Sequence, residues 1–282
     1  MSARIIAFSS AKGGVGKSTN AVNVACALAL GTQPRRSRRR APEPLPNGRR
    51  VLVVDMDRQQ SAGDALGVRG VPDGSTYAMA IAGQPVDVSE SVYRVPFDLE
   101  RGTLHVMPVT PYDYEAAAAN LVNYPDNGLM VVSAVLEAVQ DDYDYIVLDL
   151  RPELSHFASS AMVAATAGVI IPVTSEVTTA VHLAEVQEHI EFLAQGSGRP
   201  VEALGVVRSR WDARGEEGRL VNELLSGGDI RVFESVIPDH RIVSKAFAMS
   251  SGPVVTSFPK SPAAKKYHEL TTEIVSLAER NN

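Results

Sequence analysis

The sequence predicts an α/β fold, a mostly parallel twisted sheet with helices on both faces. Three observations lead there. Short apolar runs alternate with longer helix-patterned segments along the chain, as in sheets wound from crossover units. Several of those runs, among them Ile5-Ile6-Ala7-Phe8 and Tyr145-Ile146-Val147-Leu148, are apolar throughout, as strands buried on both faces must be. The first run also leads directly into Lys12-Gly13-Gly14-Val15-Gly16-Lys17-Ser18-Thr19, a glycine-rich turn between a strand and a helix.

Element by element, strands are expected at 4–10, 51–55, 104–108, 144–149, 168–173, 203–208 and 232–236. The second begins Val51-Leu52-Val53-Val54 and stops at Asp55; the fourth stops at Asp149 in the same way. Helices are expected at 17–30, 112–122, 129–141, 157–166, 178–195, 216–226, 241–250 and 263–280. The first is alanine-rich, and the last carries an apolar stripe at Leu270, Ile274 and Leu277. No internal repeat is present. In open α/β sheets ligands sit beyond the carboxyl ends of the strands. The turn at 11–18, Asp57 and Asp149 all fall there, so three separate segments should converge on one site.

The turn reads as a phosphate-binding loop. Gly13, Gly14 and Gly16 let backbone N–H groups face inward around phosphate oxygens. Lys17 would reach the β- and γ-phosphates, Ser18 would ligate Mg²⁺, and the following helix would aim its positive end at the anion. Position 11 is Ala11 where the usual pattern has glycine, and Lys12 adds a second lysine. Thr19 is placed for an α-phosphate oxygen. Asp149, ending an apolar strand, suits a role in holding Mg²⁺, and Asp55 would support the magnesium shell or the loop hydrogen bonds.

These segments resemble the ParA/MinD ATPases, whose phosphate loop is the deviant Walker A motif of a P-loop NTPase. Val53-Val54-Asp55-Met56-Asp57-Arg58-Gln59 resembles their switch I, and Tyr143-Asp144-Tyr145-Ile146-Val147-Leu148-Asp149 their Walker B strand. Val236-Ile237-Pro238, Ser244-Lys245-Ala246 and Gly252-Pro253-Val254 resemble the C-terminal part of the ParA/Soj branch. The resemblance implies ATP and Mg²⁺ as cofactors and a slow, partner-stimulated hydrolysis in which Asp57 orients the attacking water. It implies that Lys12 touches nucleotide across a homodimer that sandwiches two ATP molecules; contact with its own phosphates is the alternative. Base contacts would come from near Arg208 and from Pro238 and Asp239, although Asp239 could equally cap the helix at 241–250. Non-specific DNA binding would fall to Arg214, with Arg241, Lys245, Lys260, Lys265 and Lys266 able to join the same face. A ParB-like centromere-binding or adaptor protein would be the partner. Two departures stand out: Arg58 and Arg151 occupy positions where the family pattern has proline, so both switches should be looser or locally salt-bridged.

Composition fits one large domain of 282 residues with 45% hydrophobic content. A single cysteine, Cys26, excludes a disulfide framework and suggests a reducing cytosol; it also closes the iron–sulfur branch of the fold. No apolar run is long enough for a membrane span, and the phosphate loop begins too early for a signal peptide. Nor do eleven residues leave room for a DNA-reading helix-turn-helix before it. The net charge of −6 is uneven: residues 32–50 hold seven arginines, four prolines and one acid, and so carry +6. Such an insertion is a solvated loop or an added DNA-phosphate contact. The expected role is a cytoplasmic, nucleoid-associated partition ATPase with no membrane partner. The alternative is a MinD-like or cargo-positioning ATPase on a membrane or protein scaffold. The C-terminal stretch from Tyr267 to Arg280, with three glutamates, one arginine and a core-type stripe, argues against a membrane anchor.

Overall fold

The computed structural model describes residues 2–31, 48–97, 99–212, 215–248 and 252–280. Its strands are β1 (Arg4–Phe8), β2 (Arg50–Met56), β3 (Tyr93–Arg94), β4 (Thr103–Met107), β5 (Tyr145–Leu150), β6 (Gly168–Val173), β7 (Ala203–Trp211) and β8 (Val232–Pro238). The helices are α1 (Lys17–Leu30), α2 (Ser61–Ala65), α3 (Tyr77–Ile81), α4 (Pro111–Asn120), α5 (Val131–Glu137), α6 (His156–Ala164), α7 (Val177–Gly196), α8 (Glu216–Gly227), α9 (Arg241–Ala248), α10 (Val254–Ser257) and α11 (Pro262–Ala278).

The strands form one sheet in the order β3-β4-β2-β5-β1-β6-β7-β8. All neighbours are parallel except β3, which runs antiparallel to β4 at the edge. Side chains alternate across the sheet. Ile5 and Ala7 join a core with α3 to α8, whereas Ile6 and Phe8 join one with α1, α2, α9, α10 and α11. Ile6 and Phe8 have no exposed surface, and burying each stabilises the fold by about 1.5–3 kcal/mol. With both faces covered, β5 has no exposed residue, which is why its sequence is a continuous apolar run.

The predicted α/β architecture is thus observed, with local differences. Residues 61–65, 77–81, 93–94 and 254–257 form short elements that the sequence did not announce. The expected helix at 129–141 is shorter, because a 3₁₀ turn at Gln140–Asp142 replaces its last turn. The expected strand at 4–10 stops at Phe8, while β7 and β8 run on to Trp211 and Pro238. Of the arginine-rich insertion expected at 32–50, residues 32–47 lie outside the described residues. Its last arginine belongs to β2, where Arg50 pairs with Asp144 at 3.0 Å, and Arg49 lies 3.4 Å from Glu279.

Candidate functional site

Register brings the site together. In the β1–β5 pairing Phe8 stands beside Asp149, and in the β2–β5 pairing Asp55 stands beside Asp149. The phosphate loop leaves β1 at this same edge, on the line where β5 and β6 flank β1 and the winding changes direction.

The loop reaches α1 through two left-handed residues, Gly14 (φ 79°) and Gly16 (φ 85°). A side chain at Gly16 would stand 2.7 Å from the Ser209 hydroxyl, so both conformation and space require glycine there. Gly16 caps α1 without a side-chain hydrogen bond, and the first turn carries no acid. The positive end of the helix therefore faces the loop uncompensated, an arrangement that suits an anion. Val15 is buried, and a Cβ on Gly13 would meet only Pro152, of the loop after β5, in ordinary contact at 3.9 Å.

Lys17 is 6% exposed and lies 3.3 Å from Asp149 Oδ1. The second oxygen, Asp149 Oδ2, is buried and accepts no hydrogen bond. Burial raises the Asp149 pKa, opposed by Lys17 and a hydrogen bond from Ser18. Asp55 is pushed up to about 8, first by burial and then by the charge of Asp149. Buried carboxylates therefore outnumber the lysine between them, and one oxygen has no donor. Such a place suits a hard divalent cation held by Ser18 and Asp149 and completed by water and phosphate oxygens, the usual manner of Mg²⁺. Among the described residues no cluster of three metal-ligating His, Cys, Asp or Glu side chains is present.

Of the two roles expected for Asp55, the geometry displays loop support. Its Oδ1 accepts from the Asp57 amide at 3.1 Å and its Oδ2 from the Gly63 amide at 2.8 Å, leaving it poorly disposed as a direct metal donor. The Tyr77 hydroxyl, not singled out from sequence, donates to the Asp55 carbonyl at 2.8 Å. Asp57 is nearly buried, and its Oδ1 accepts from the Gln59 amide at 3.0 Å. The two departures from the family pattern are both locally paired. Arg58 bonds Glu115 at 3.0 Å, and Arg151 bonds Glu153 at 3.2 Å with its guanidinium 5.8 Å from the Tyr114 ring centre. Tyr114 and Glu115 are consecutive on α4, so one helix receives both switch loops.

Lys12 turns toward the start of α7. Its ammonium donates to Glu176 at 2.6 Å and Thr178 at 2.8 Å, partners that sequence reasoning missed. Only the placement of Glu176 and Thr178 just beyond the carboxyl end of β6 hinted at the site.

A small open cavity lies beside the loop, lined by Gly16, Thr19, Pro238, Asp239 and Tyr267 among others. Pro238 and Asp239, for which a base contact was expected, both line this cavity. Arg208 is not: its guanidinium bonds Asn222 at 2.9 Å and the Phe233 carbonyl at 3.1 Å, and the cation lining the cavity is Arg210. The strand is longer than expected, and its register with β8 shifts between Arg208 and Trp211, so that Arg210 and not Arg208 borders the cavity. The helix-capping alternative for Asp239 is filled by its neighbour, because His240 Nδ1 accepts from the Ile242 amide at 3.2 Å.

Of the expected DNA contacts, Arg214 lies outside the described residues. Arg241 and Lys245 are exposed on α9 and Lys265 on α11, while Lys266 pairs with Glu269 at 2.9 Å. Among the described residues no helix is long and apolar enough to cross a membrane.

Known proteins resemble this chain in sequence and in fold. A family model described as an AAA domain matches residues 43–199. The chromosome-partitioning ATPase Soj of Thermus thermophilus is 32% identical over 97% of this chain and 96% of its own length. The chromosome partitioning protein ParA of Myxococcus xanthus is 29% identical over 96% of this chain and 88% of its own. The ATP complex of a Cyanothece McdA variant superposes with a TM-score of 0.78 at 18% identity, covering 98% of this chain and 97% of that one. The low identity makes this last likeness one of fold, but the long, near-complete match to Soj spans the phosphate loop and both switches, and on it the chain belongs to the ParA/Soj family of ATPases.

Proposed function

We propose that this chain is an ATP-dependent dimerising ATPase that binds DNA without sequence preference and drives segregation of chromosome or plasmid DNA with a ParB-like partner. The observation that carries the nucleotide reading is the buried Lys17–Asp149 pair with its unpartnered Asp149 Oδ2, beside the uncapped start of α1. The partition role is supported by the chromosome-partitioning role of the Thermus Soj protein and by the exposed basic residues of α9 and α11.

Each residue has a task in this reading. The amides of Gly13 to Ser18 bind phosphate, Lys17 neutralises its charge, and Thr19 holds the α-phosphate. Ser18 and Asp149 would hold Mg²⁺, which supplies further charge neutralisation on the phosphates when bound. Asp57, held by the turn amide of Gln59, orients the attacking water, and Asp55 keeps that turn in place. Pro238 and Asp239 face the base. Lys12 leaves Glu176 to reach the partner subunit's nucleotide in an ATP-sandwiched dimer, as an arginine finger acts in trans. Arg241, Lys245 and Lys265, with Arg214, grip DNA phosphates, and Lys266 contributes once its pair with Glu269 opens.

The test is binding to random-sequence duplex DNA with ATP, ADP or no nucleotide across a salt series. ATP-dependent binding that weakens steeply with salt supports the proposal. No binding under any nucleotide would sink it and favour the MinD-like or scaffold reading. That alternative is weakened by α11, whose Leu270, Ile274 and Ala278 are buried against the core and unavailable to lipid.

A further inference from the structure

The nucleotide cavity holds one cation that none of the motifs predicts. Arg210 lies at the end of β7 with φ 48°, in the left-handed region. Three other non-glycine residues among those described share such a φ, Gln60, Asp126 and Asn127, and two of these are of the Asn/Asp type that tolerates it. An arginine does not, so the surroundings hold it there, as they do at functional sites. The β7–β8 register shifts between Arg208 and Trp211, an irregularity of the kind that re-aims a side chain.

What the strain achieves is visible. Arg210 Nη1 donates to the Gly14 carbonyl at 2.7 Å, strapping the middle of the phosphate loop. Its stem lies over Gly16, with Cγ and Cδ 3.6 and 3.7 Å from where a Cβ would stand. Its other charged contact is loose: Nε is 3.8 Å from Asp239 Oδ1, and the two side chains are 54% and 56% exposed. The field of Arg210 also reaches Glu176, the carboxylate that holds Lys12, and after Lys12 helps to keep it ionised.

We infer that Arg210 is a phosphate-contacting cation of this nucleotide site, which straps the loop through Gly14 and exchanges Asp239 for the nucleotide's β- and γ-phosphate oxygens. The inference rests on the nucleotide reading above. A guanidinium presents five donors in a planar fork that matches phosphate oxygens two at a time. In the structure one donor is well used and Nε is held only at 3.8 Å, where a single exposed carboxylate competes poorly with a polyphosphate.

The test is calorimetric binding of ATP and of AMP to the full chain and to two variants. Arg210→Met keeps the stem over Gly16 and removes the donors. Arg210→Gly accepts the φ without strain, and so guards against a variant that simply fails to fold. Both variants should bind ATP at least about tenfold more weakly, the scale of hydrogen bonds to a charged group, with AMP affected far less. Arg210→Lys should recover part of the loss. Equal weakening of ATP and AMP, or unchanged ATP affinity, overturns the inference. Failure of the wild-type chain to bind ATP would instead refute the nucleotide reading itself.

Discussion

Replacing Tyr267 by Phe removes one hydroxyl from a buried polar chain that joins three elements. The Tyr267 hydroxyl on α11 donates to Asn20 Oδ1 on α1 at 2.9 Å, and Asn20 Nδ2 donates to the Ser209 hydroxyl on β7 at 2.9 Å. Tyr267 and Asn20 have no exposed surface, so no water replaces the lost donor. The phenylalanine ring fills the same space, and the cost is therefore that of one unsatisfied buried carbonyl, about 1–3 kcal/mol. For a chain this long each kcal/mol lowers the melting midpoint by roughly 2–4 °C, so the apo variant should melt about 2–12 °C lower. Circular dichroism melts of the apo protein measure this directly. Ser209→Ala strikes the same asparagine from its other side, so the double variant should lose less than the two single losses added. Tyr267 backs the cavity without exposure to it, and ATP affinity should fall as the floor beneath Gly16 and Thr19 loosens. A midpoint within about 1 °C of wild type would refute the claim that this chain of hydrogen bonds is closed and dry.

Further outcomes follow from the site. Asp57→Ala should bind ATP but hydrolyse it at least about 100-fold more slowly, the usual weight of a positioned base, and accumulate as dimer on size-exclusion chromatography. Glu176→Ala releases Lys12 from an exposed pair worth about 0.2–1 kcal/mol in each subunit, and with both subunits released should strengthen ATP-dependent dimerisation by roughly 2- to 30-fold in sedimentation equilibrium; weaker dimerisation would mean that Glu176 belongs to the interface itself. Burial lowers the pKa of His268 and His189 from 6.5. Below that value the unfolded chain takes protons that the native chain resists, so this contribution to stability falls as pH drops from about 7 toward 5. Asp55, raised from 3.8 to about 8, acts in the opposite sense, its contribution falling as pH rises through that window. Comparing melts of His268→Gln with wild type isolates the first effect, and the variant should lose less stability on acidification.

Much of this protein could be read from its sequence because local chemistry and global fold agree. Each strand of the buried centre is a continuous apolar run, and the glycines of the phosphate loop have no substitute at φ 79° and 85°. Elements that escaped notice are those that local pattern does not specify. Residues 93–94 form a strand only because β4 offers an open edge, and α2 and α3 are five-residue helices, too short for periodicity to register.

By itself the sequence determined the alternating architecture, the identity of the phosphate loop and the two carboxylate-ended strands, since these depend on residue type and spacing along the chain. Tertiary structure alone decided what each charged group touches. The register of β2 against β5 sets Asp55 beside Asp149, and the backbone of the following turn claims both Asp55 oxygens. An irregular end to β7 turns Arg210 rather than Arg208 toward the nucleotide cavity. Lys12 meets Glu176 across 164 residues of chain, and Arg58 and Arg151 both arrive at α4. The physical reason is common to these cases. A backbone preference is local and travels with the sequence, whereas the partner of a long charged side chain is chosen by what folding brings within about 3 Å of it.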